Sequence, residues 1–315
     1  MAEESKTAVI AALGGNLALA ILKGIAAAVT GSAAMLAETF HSIADTGNQV
    51  LLAVGMRLAT RPPDRAHPFG HGKDIYFWAF VVSMLLFNVG GAFAIWEGIH
   101  ALRTPDAAMN RNVAWAYGVL AGAFVFESAS FVVAIRSLEK VKRDLTFREF
   151  WHVNRDPTLM TVVLEDGAAL VSILVAATGL TLRQLTGAEF WDGIASLLIG
   201  GILIAVALLL GFENYSLLIG EAAPPKIERK IREIASHDEA VARVVGLRTM
   251  HVGPESILVV LIVKFRDDLD VPDVEAAVAR LHAAIVDALG EDTTDPRLVI
   301  VEPAPRAAAR PRRAA

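Results

Sequence analysis

The sequence predicts an α-helical membrane protein with six transmembrane helices, followed by a small α+β domain. Hydrophobic residues make up 54% of the 315 residues, and the mean hydropathy is +0.49. The charges are concentrated at one end, since 17 of the 34 acidic and 14 of the 29 basic residues lie after residue 212. The first two-thirds are therefore too apolar for an average soluble protein, whereas the last third has the composition of one.

Charge and cysteine content exclude several classes of function. The formal net charge is −5 at neutral pH, so no overall basic field is available to attract nucleic acid. The chain contains no cysteine, which excludes disulfides, thiolate zinc fingers and a cysteine nucleophile. Any bound metal ion must therefore be held by His, Asp and Glu.

Six apolar runs have the length that a helix needs to cross about 30 Å of hydrocarbon. The first run is not a removable signal peptide, because Glu3 and Glu4 precede it and Gly31-Ser32 leads directly into the next run. A transmembrane domain is thus expected over 1–212. The predicted spans are 8–30, 33–57, 75–101, 113–136, 158–182 and 190–212.

The distribution of basic residues predicts the orientation of the spans. Lys6 and the loops 57–73 and 136–155 together carry 11 Lys and Arg residues. The opposite side carries three, Arg103, Arg111 and Arg183. By the positive-inside rule, both termini face the cytoplasm. Since the first residues do not resemble an organelle-type presequence, a prokaryotic plasma (inner) membrane is the expected location.

The last third has the periodicity of a soluble domain, predicted over 213–303. An amphipathic helix, two strands joined by a turn, a second helix and a short strand give the order αββαβ, which predicts a small open sheet with helices on one face. The tail 304–315 is basic and of low complexity, and is expected to be disordered. The predicted elements are 226–236, 242–250, 256–265, 272–288 and 298–301.

Ionisable residues within the predicted spans are the strongest functional signal, because each costs at least about 2.5–3.5 kcal/mol to insert. In span two, His41 and Asp45 stand four residues apart and share a helix face. In span five, Glu165 and Asp166 are adjacent. One imidazole and three carboxylates would supply four ligands for a divalent cation, a number suited to zinc. Alternatively, His41 and Asp45 only hydrogen bond each other, which would leave the span-five carboxylates without a neutralising charge.

Other polar residues within the spans are weaker candidates for the site. For each of them an interhelical hydrogen bond or an ion pair is the favoured interpretation. These residues are Asn16, Lys23, Glu38, Glu127 and Asp192.

The loop after span two contains a second group of possible ligands. Asp64, His67 and His71 lie within eight residues on the predicted cytoplasmic side. A short loop can fold three such groups around one ion, but the same residues can also be solvated or can bond to helix-end carbonyls. Spacing alone leaves both interpretations open.

Taken together, the six spans, His41 and Asp45, the HPFGHGK segment at 67–73 and the αββαβ tail resemble the cation diffusion facilitator family. The resemblance covers about residues 8–303. It implies a dimeric efflux transporter, with no enzymatic reaction, that exchanges Zn²⁺ for protons. In some branches the cation is Mn²⁺, Fe²⁺, Co²⁺ or Cd²⁺. The resemblance also implies a loop metal site at Asp64, His67 and His71.

The resemblance places the transport site between spans two and five. His41, Asp45 and Asp166 match the family's motif there, but Val162 stands where the family usually has a histidine. Glu165 is the nearest replacement, and the LEDGAAL stretch looks like a branch that includes a mitochondrial zinc-transporter-like member. A set with one histidine and three carboxylates is harder than a two-histidine set, and should be more favourable to Mn²⁺ or Fe²⁺.

The C-terminal domain resembles the family's cytoplasmic domain, which has a metallochaperone-like fold and dimerises. Val245 and Glu302 occupy positions where the family usually has zinc-binding histidines, and His251 is an unmatched histidine nearby. The domain is therefore expected mainly to form a homodimer.

The sequence thus predicts exchange of a divalent cation for protons by alternating access at His41, Asp45, Glu165 and Asp166. The expected partners are the cation, protons, membrane lipid and a second copy of the chain. A membrane-bound metal sensor or scaffold without flux is the alternative. An intramembrane metallohydrolase is not supported, because the chain has no HExxH motif and no paired serine and histidine.

Overall fold

The structure is a computed structural model that describes residues 2–104, 113–142, 157–254, 256–290 and 295–304. As far as it is described, the chain divides into two compact units. Of the described residues, the first holds 2–58, 74–104, 113–142 and 157–215, and the second holds 59–73, 216–254, 256–290 and 295–304. The second unit therefore contains the loop between the second and third helices as well as the C-terminal residues.

The described part of the first unit is built from long helices, and each predicted span lies within one of them. The third helix contains a π-helical segment, Leu86–Ala92, which apolar periodicity does not reveal. The last helix continues seven residues beyond the predicted end of its span, to Ile219. The helices are α1 Ala2–Thr30, α2 Ala33–Ala59, α3 Asp74–Arg103, α4 Val113–Lys142, α5 Pro157–Thr186 and α6 Phe190–Ile219.

Five of these helices are long and apolar enough to cross a membrane: α1, α3, α4, α5 and α6. Large apolar side chains such as Val125 and Phe212 are about 70% exposed on their outer faces (70% and 71%), which is the surface that lipid requires. The 27-residue helix α2 lies outside this set of five. It carries a buried row of polar side chains, described below.

The α1–α2 connection is held by a side chain from α6. Gly31 has φ 63°, a left-handed conformation that favours glycine. The buried carboxylate of Asp192 accepts hydrogen bonds from the Ser32 hydroxyl and the Ala33 backbone amide. Asp192 thus caps the first turn of α2, where a negative charge is favourable, and this agrees with the interhelical role predicted for it.

Helices α3 and α6 approach each other through glycines spaced seven residues apart. A Cβ atom added to Gly98 would lie 2.8 Å from the Gly193 carbonyl oxygen, and one added to Gly200 would lie 2.9 Å from the Gly91 carbonyl oxygen. Only glycine permits backbones to come this close. The α3–α6 contact is therefore built on backbone packing and carries no ionisable group at these positions.

The second unit confirms the predicted αββαβ order. The strands have the order β1-β2-β3, with β1 and β2 antiparallel and β2 and β3 parallel. The last strand begins at Val299 because Pro296–Leu298 forms a 3₁₀ turn. Residues 305–315 of the predicted disordered tail lie outside the described residues. The elements are α7 Pro225–His237, β1 Val241–Gly253, β2 Ser256–Phe265, α8 Val271–Leu289 and β3 Val299–Pro303.

The sheet packs its helices against alternate residues of the central strand. Burial along β2 alternates at every position, as expected where successive side chains point to opposite faces. Val259 and Leu261 are among the fully buried residues, and they share one hydrophobic core with Ile231 of α7 and Leu281 of α8. The alternate β2 residues, such as Ile262, are only half-buried.

Candidate metal sites

One face of α2 carries a row of polar side chains through the interior of the first unit. Their spacing of three, four and three residues places them on the same helical face. Each is no more than 6% exposed: Glu38, His41, Asp45 and Asn48. A buried row of this kind is unfavourable in a transmembrane helix unless its members are paired or bind a ligand.

The C-terminal part of this row, Asp45 and Asn48, lies beside the carboxylates of α5. The Asn48 side-chain amide donates to Glu165 Oε1 at 2.6 Å, and Asp45 lies beside Glu165. On the other side, the Ser130 hydroxyl of α4 donates to Asp166 Oδ2 at 2.7 Å. The structure therefore brings the predicted carboxylates of spans two and five together, with α4 as a third contributor.

His41 lies in the same row and is 1% exposed. Within the described part of the chain, neither of its ring nitrogens has a hydrogen-bond partner. The alternative in which His41 and Asp45 only bond each other is therefore not what the structure shows. A buried imidazole without a partner is unfavourable, and it leaves a nitrogen lone pair available to a ligand.

The intramembrane residues are close but not gathered into a compact ligand set. No three of His41, Asp45, Glu165 and Asp166, all of which are described, have ligand atoms that lie within 4.8 Å of one another. The hydrogen bonds to Asn48 and Ser130 hold the span-five carboxylates in their present positions. A bound cation would have to replace the contact between Asp45 and Glu165.

The loop residues, in contrast, form a compact group. The ligand atoms of Asp64, His67 and His71 all lie within 4.8 Å of one another. His71 Nε2 is 3.1 Å from Asp64 Oδ2, and His67 Nδ1 is 3.4 Å from Asp64 Oδ1. The group is assembled by local backbone, because Asp64 Oδ1 accepts from the Ala66 and His67 amides at 2.7 Å each, and Gly70 adopts φ 84°.

These contacts stabilise the ionised form of the Asp64 carboxyl group. The hydrogen bond from the His67 backbone amide is the largest cause, and the bond from the His71 side chain is the next. Together they lower the pKa of Asp64 from its ordinary 3.8 to about 2. The loop thus offers carboxylate oxygen from Asp64 and imidazole nitrogen from His67 and His71, a donor set suited to zinc and other borderline cations.

Glu38 and Lys23 were predicted to serve interhelical contacts, and the structure pairs them. Lys23 Nζ lies 2.9 Å from Glu38 Oε2, and both side chains are fully buried. Lys23 also donates to the Ser42 hydroxyl at 2.8 Å. Helices α1 and α2 are thus joined by an ion pair one turn away from His41.

The intramembrane cluster consists of His41, Asp45, Glu165 and Asp166 together with Asn48 and Ser130. The sequence did not identify the last two. Both are uncharged, so they do not stand out in a search for ionisable residues. Asn48 did leave a signal, because it continues the row of α2 three residues after Asp45. Ser130 left none, since isolated serines are common in membrane helices.

Long apolar helices surround buried carboxylates and an imidazole, and the same chain carries a small sheet domain. These features are those of an integral membrane protein with candidate cation ligands in its interior. The family model of the cation efflux transmembrane domain matches residues 9–219, more than half of the chain. The protein therefore belongs to the cation efflux family, also called the cation diffusion facilitators. This is a family of transporters, and the resemblance inferred from the sequence is confirmed.

Several curated proteins are similar to this chain. It is 34% identical over 230 residues to "Proton-coupled zinc antiporter SLC30A9, mitochondrial" of Xenopus laevis, covering 72% of this chain and 41% of that protein. It is 32% identical over 270 residues to "Metal tolerance protein C4" of Arabidopsis thaliana, covering 85% and 57%. It is 27% identical over 247 residues to "Magnetosome protein MamM" of Paramagnetospirillum magneticum, covering 76% and 71%. The chain spans about half the length of the first two relatives.

Proposed function

We propose that this protein exports a divalent cation in exchange for protons, with Zn²⁺ as the first candidate cation. The observation that carries the proposal is His41, a buried imidazole with no hydrogen-bond partner for either nitrogen among the described residues, in the same α2 row as Asp45. The name of the Xenopus laevis relative, a proton-coupled zinc antiporter, supports the choice of cation and of the counter-ion.

The proposed coupling follows from the contact between Asp45 and Glu165. Two carboxyl groups buried side by side repel each other when both are ionised, so one of them holds a proton while no cation is bound. A divalent cation requires ionised carboxylates and a neutral imidazole, so its arrival displaces that proton. Protons that enter from the opposite side then release the cation, and no covalent step is needed.

Four residues are the proposed ligands: His41, Asp45, Glu165 and Asp166. Three of them are carboxylates, which offer oxygen. His41 is the one histidine, because Val162, which cannot ligate, stands where a second histidine would be. Such a set is more favourable to Mn²⁺ and Fe²⁺ than a two-histidine set. Alternating access between helices α2 and α5 would expose these ligands first to one side of the membrane and then to the other.

The test is cation uptake into proteoliposomes under an imposed pH gradient. We expect Asp45→Ala and Asp166→Ala to abolish uptake, and Glu189→Ala, which removes a carboxylate outside the cluster, to retain it. Wild-type rates in both cluster variants would show that the site is wrong. Saturable metal binding without flux in the unmodified protein would favour the sensor or scaffold alternative.

The identity of the cation is tested by a metal panel. Zn²⁺, Mn²⁺, Fe²⁺, Co²⁺ and Cd²⁺ are compared for the unmodified protein and for Glu165→Ala. If Glu165 is a ligand, the variant loses more Mn²⁺ uptake than Zn²⁺ uptake, because it loses an oxygen donor. Unchanged rates and selectivity would remove Glu165 from the site.

The loop cluster is proposed as a second cation site on the cytoplasmic side. Its support is the compact geometry of Asp64, His67 and His71. The C-terminal domain is proposed to form a homodimer. The support for dimerisation is the sheet face away from the helices, where Ile262 is half-buried and Ile300 is 43% exposed.

The proposed location is a prokaryotic inner membrane, with both termini in the cytoplasm. The uneven distribution of basic residues supports this orientation. The contact of Asp192 with Ser32 and Ala33 agrees with it, because it joins two connections that are both predicted to lie outside. Because the chain has no cysteine, single cysteines introduced near the start of α1 and after β3 can be labelled with a membrane-impermeant reagent. Protection in intact cells is expected for both.

A further inference from the structure

Lys23 is a fully buried cation whose hydrogen-bond partners among the described residues both come from α2. Its ammonium group donates to Glu38 Oε2 at 2.9 Å and to the Ser42 hydroxyl at 2.8 Å. Lys23 and Glu38 are both 0% exposed. A buried ion pair persists only when its geometry offsets the loss of hydration, so this contact is a built feature of the α1–α2 interface.

The pair leaves part of Glu38 unused. Glu38 Oε1 is buried and has no hydrogen-bond partner among the described residues, and the same is true of both ring nitrogens of His41. Glu38 precedes His41 by three residues on the same helical face. Three unpartnered polar atoms at neighbouring positions are unusual in a protein interior, and each needs a ligand or another explanation.

We propose that Lys23 determines cation specificity by keeping Glu38 from joining His41 as a metal ligand, an inference that rests on the proposed cation transport. The ammonium group at Glu38 Oε2 neutralises the carboxylate, so the negative charge that would attract a metal ion is already compensated. With Lys23 in place, the site has three carboxylates and one histidine. Without it, Glu38 becomes a fourth carboxylate one turn from His41.

The consequence is a shift in preference between cations. An additional carboxylate makes the ligand set harder and more negative, which favours Mn²⁺ over Zn²⁺. A purely structural role for the Lys23–Glu38 pair predicts something different. Its loss would reduce the amount of folded protein but would leave the ratio of the two affinities unchanged.

The experiment measures Zn²⁺ and Mn²⁺ affinity and flux for the full chain in proteoliposomes. Both metals are measured on the same preparation, so any loss of folded protein cancels in the ratio. We expect Lys23→Met to raise the affinity for Mn²⁺ relative to Zn²⁺ by about tenfold, equivalent to about 1.4 kcal/mol. Lys23→Arg, which retains a cation on Glu38, keeps the original ratio.

The double variant Lys23→Met/Glu38→Gln identifies the residue responsible. If Glu38 is the added ligand, its removal returns the ratio to within about twofold of the original. An unchanged ratio in Lys23→Met overturns the inference, as does a shifted ratio that persists in the double variant. Absence of Zn²⁺ flux in the unmodified protein is a different outcome, because it overturns the proposed function itself.

Discussion

The intramembrane cluster and the loop cluster both offer carboxylate oxygen and imidazole nitrogen, but they organise these donor atoms differently. In the loop, Asp64, His67 and His71 are gathered within 4.8 Å by local backbone turns, and Asp64 and His67 are exposed. Within the helices, the side chains are buried, and the span-five carboxylates are hydrogen bonded to Asn48 and Ser130. The loop group is organised for binding in advance, whereas the intramembrane group exchanges existing contacts for a cation.

We expect this difference to distinguish a site that retains a cation, the loop cluster, from a site that transports one, the intramembrane cluster. A site that is already formed binds without a large reorganisation, and it gains affinity for that reason. A site that must release a proton before it binds links its occupancy to the proton concentration. We therefore expect proton coupling at the intramembrane cluster, and at the loop cluster a cation affinity that does not depend on the state of the helices.

The largest expected effect comes from Asp45→Asn. It removes the carboxylate that meets Glu165, and we expect cation flux to fall by at least about a hundredfold, or nearly 3 kcal/mol in transition-state terms. Stopped-flow fluorescence of a zinc indicator in proteoliposomes measures this.

Asp64→Asn is the matched variant in the loop. It should lower the number of Zn²⁺ ions bound per chain in equilibrium dialysis while flux stays within about threefold of the original, since the loop is not on the proposed transport path. Equal losses of flux in the two variants would break the distinction between the clusters.

The second prediction concerns Gly72→Ala, which alters the loop through the backbone. A Cβ atom at Gly72 would lie 2.5 Å from the Val252 carbonyl oxygen and 3.0 Å from the Gly253 Cα atom, so the loop must shift. Overpacking of this kind typically costs about 1–3 kcal/mol, and we expect the Zn²⁺ affinity of the loop to fall by about tenfold. Gly246→Ala is the control, because its nearest atom would be 3.6 Å away. Unchanged loop affinity in Gly72→Ala would show that the geometry tolerates the shift.

Asn48→Ala tests the hydrogen bond that supports Glu165 within the helices. Asn48→Ala removes the donor to Glu165 Oε1, and loss of such a supporting hydrogen bond typically lowers metal affinity by about 10–100-fold. We expect the lower end of this range for Zn²⁺, measured as the concentration that half-saturates uptake. Thr46→Ala is the control on the same helix, since the one hydrogen bond that its hydroxyl makes to a described residue is to the Ser42 carbonyl. Equal effects of the two substitutions would deny Asn48 a specific role.

The smallest expected effect is a shift in the titration of Asp64. The folded loop lowers its pKa from 3.8 to about 2, so the favourable contacts are present above pH 3.8 and are lost as the pH falls toward 2. The carboxyl carbon signal should titrate near pH 2 in a nuclear magnetic resonance experiment, and His71→Ala should move the midpoint upward. A midpoint near 3.8 in the unmodified protein would mean that the loop contacts are not maintained in solution.

Much of the fold follows from the sequence because apolar length and periodicity are direct consequences of a helix in hydrocarbon. The predicted spans all lie within helices, and the αββαβ order is correct. The end of α6 was not predictable from apolarity, since Glu213 and Asn214 are polar but remain helical. The π-helical segment Leu86–Ala92 is also invisible, because its sequence is as apolar as its surroundings. That α2 is a sixth span stays a prediction.

The candidate site was predictable where charge made it conspicuous. His41, Asp45, Glu165 and Asp166 stood out because ionisable residues are rare at bilayer depth. The neutral residues that fix their positions could not be identified in this way, because Ser130 becomes relevant only once α4 is seen to lie beside Asp166. Sequence spacing also left the loop undecided, since it shows how many ligands are near but not whether their lone pairs converge.

The cap that Asp192 places on α2 has a mechanical consequence. It fixes the first turn of α2 to the beginning of α6, while the α3–α6 contact is closed by glycine backbones at Gly98 and Gly193. A tilt of α2 that opens the cluster to one side either breaks the hydrogen bonds from Ser32 and Ala33 to Asp192 or rotates the helix about them. In a rotation about Ala33 the displacement grows along the helix, so Asn48 moves farther than His41. We therefore expect such a tilt to lengthen the Asn48–Glu165 hydrogen bond more than it displaces His41.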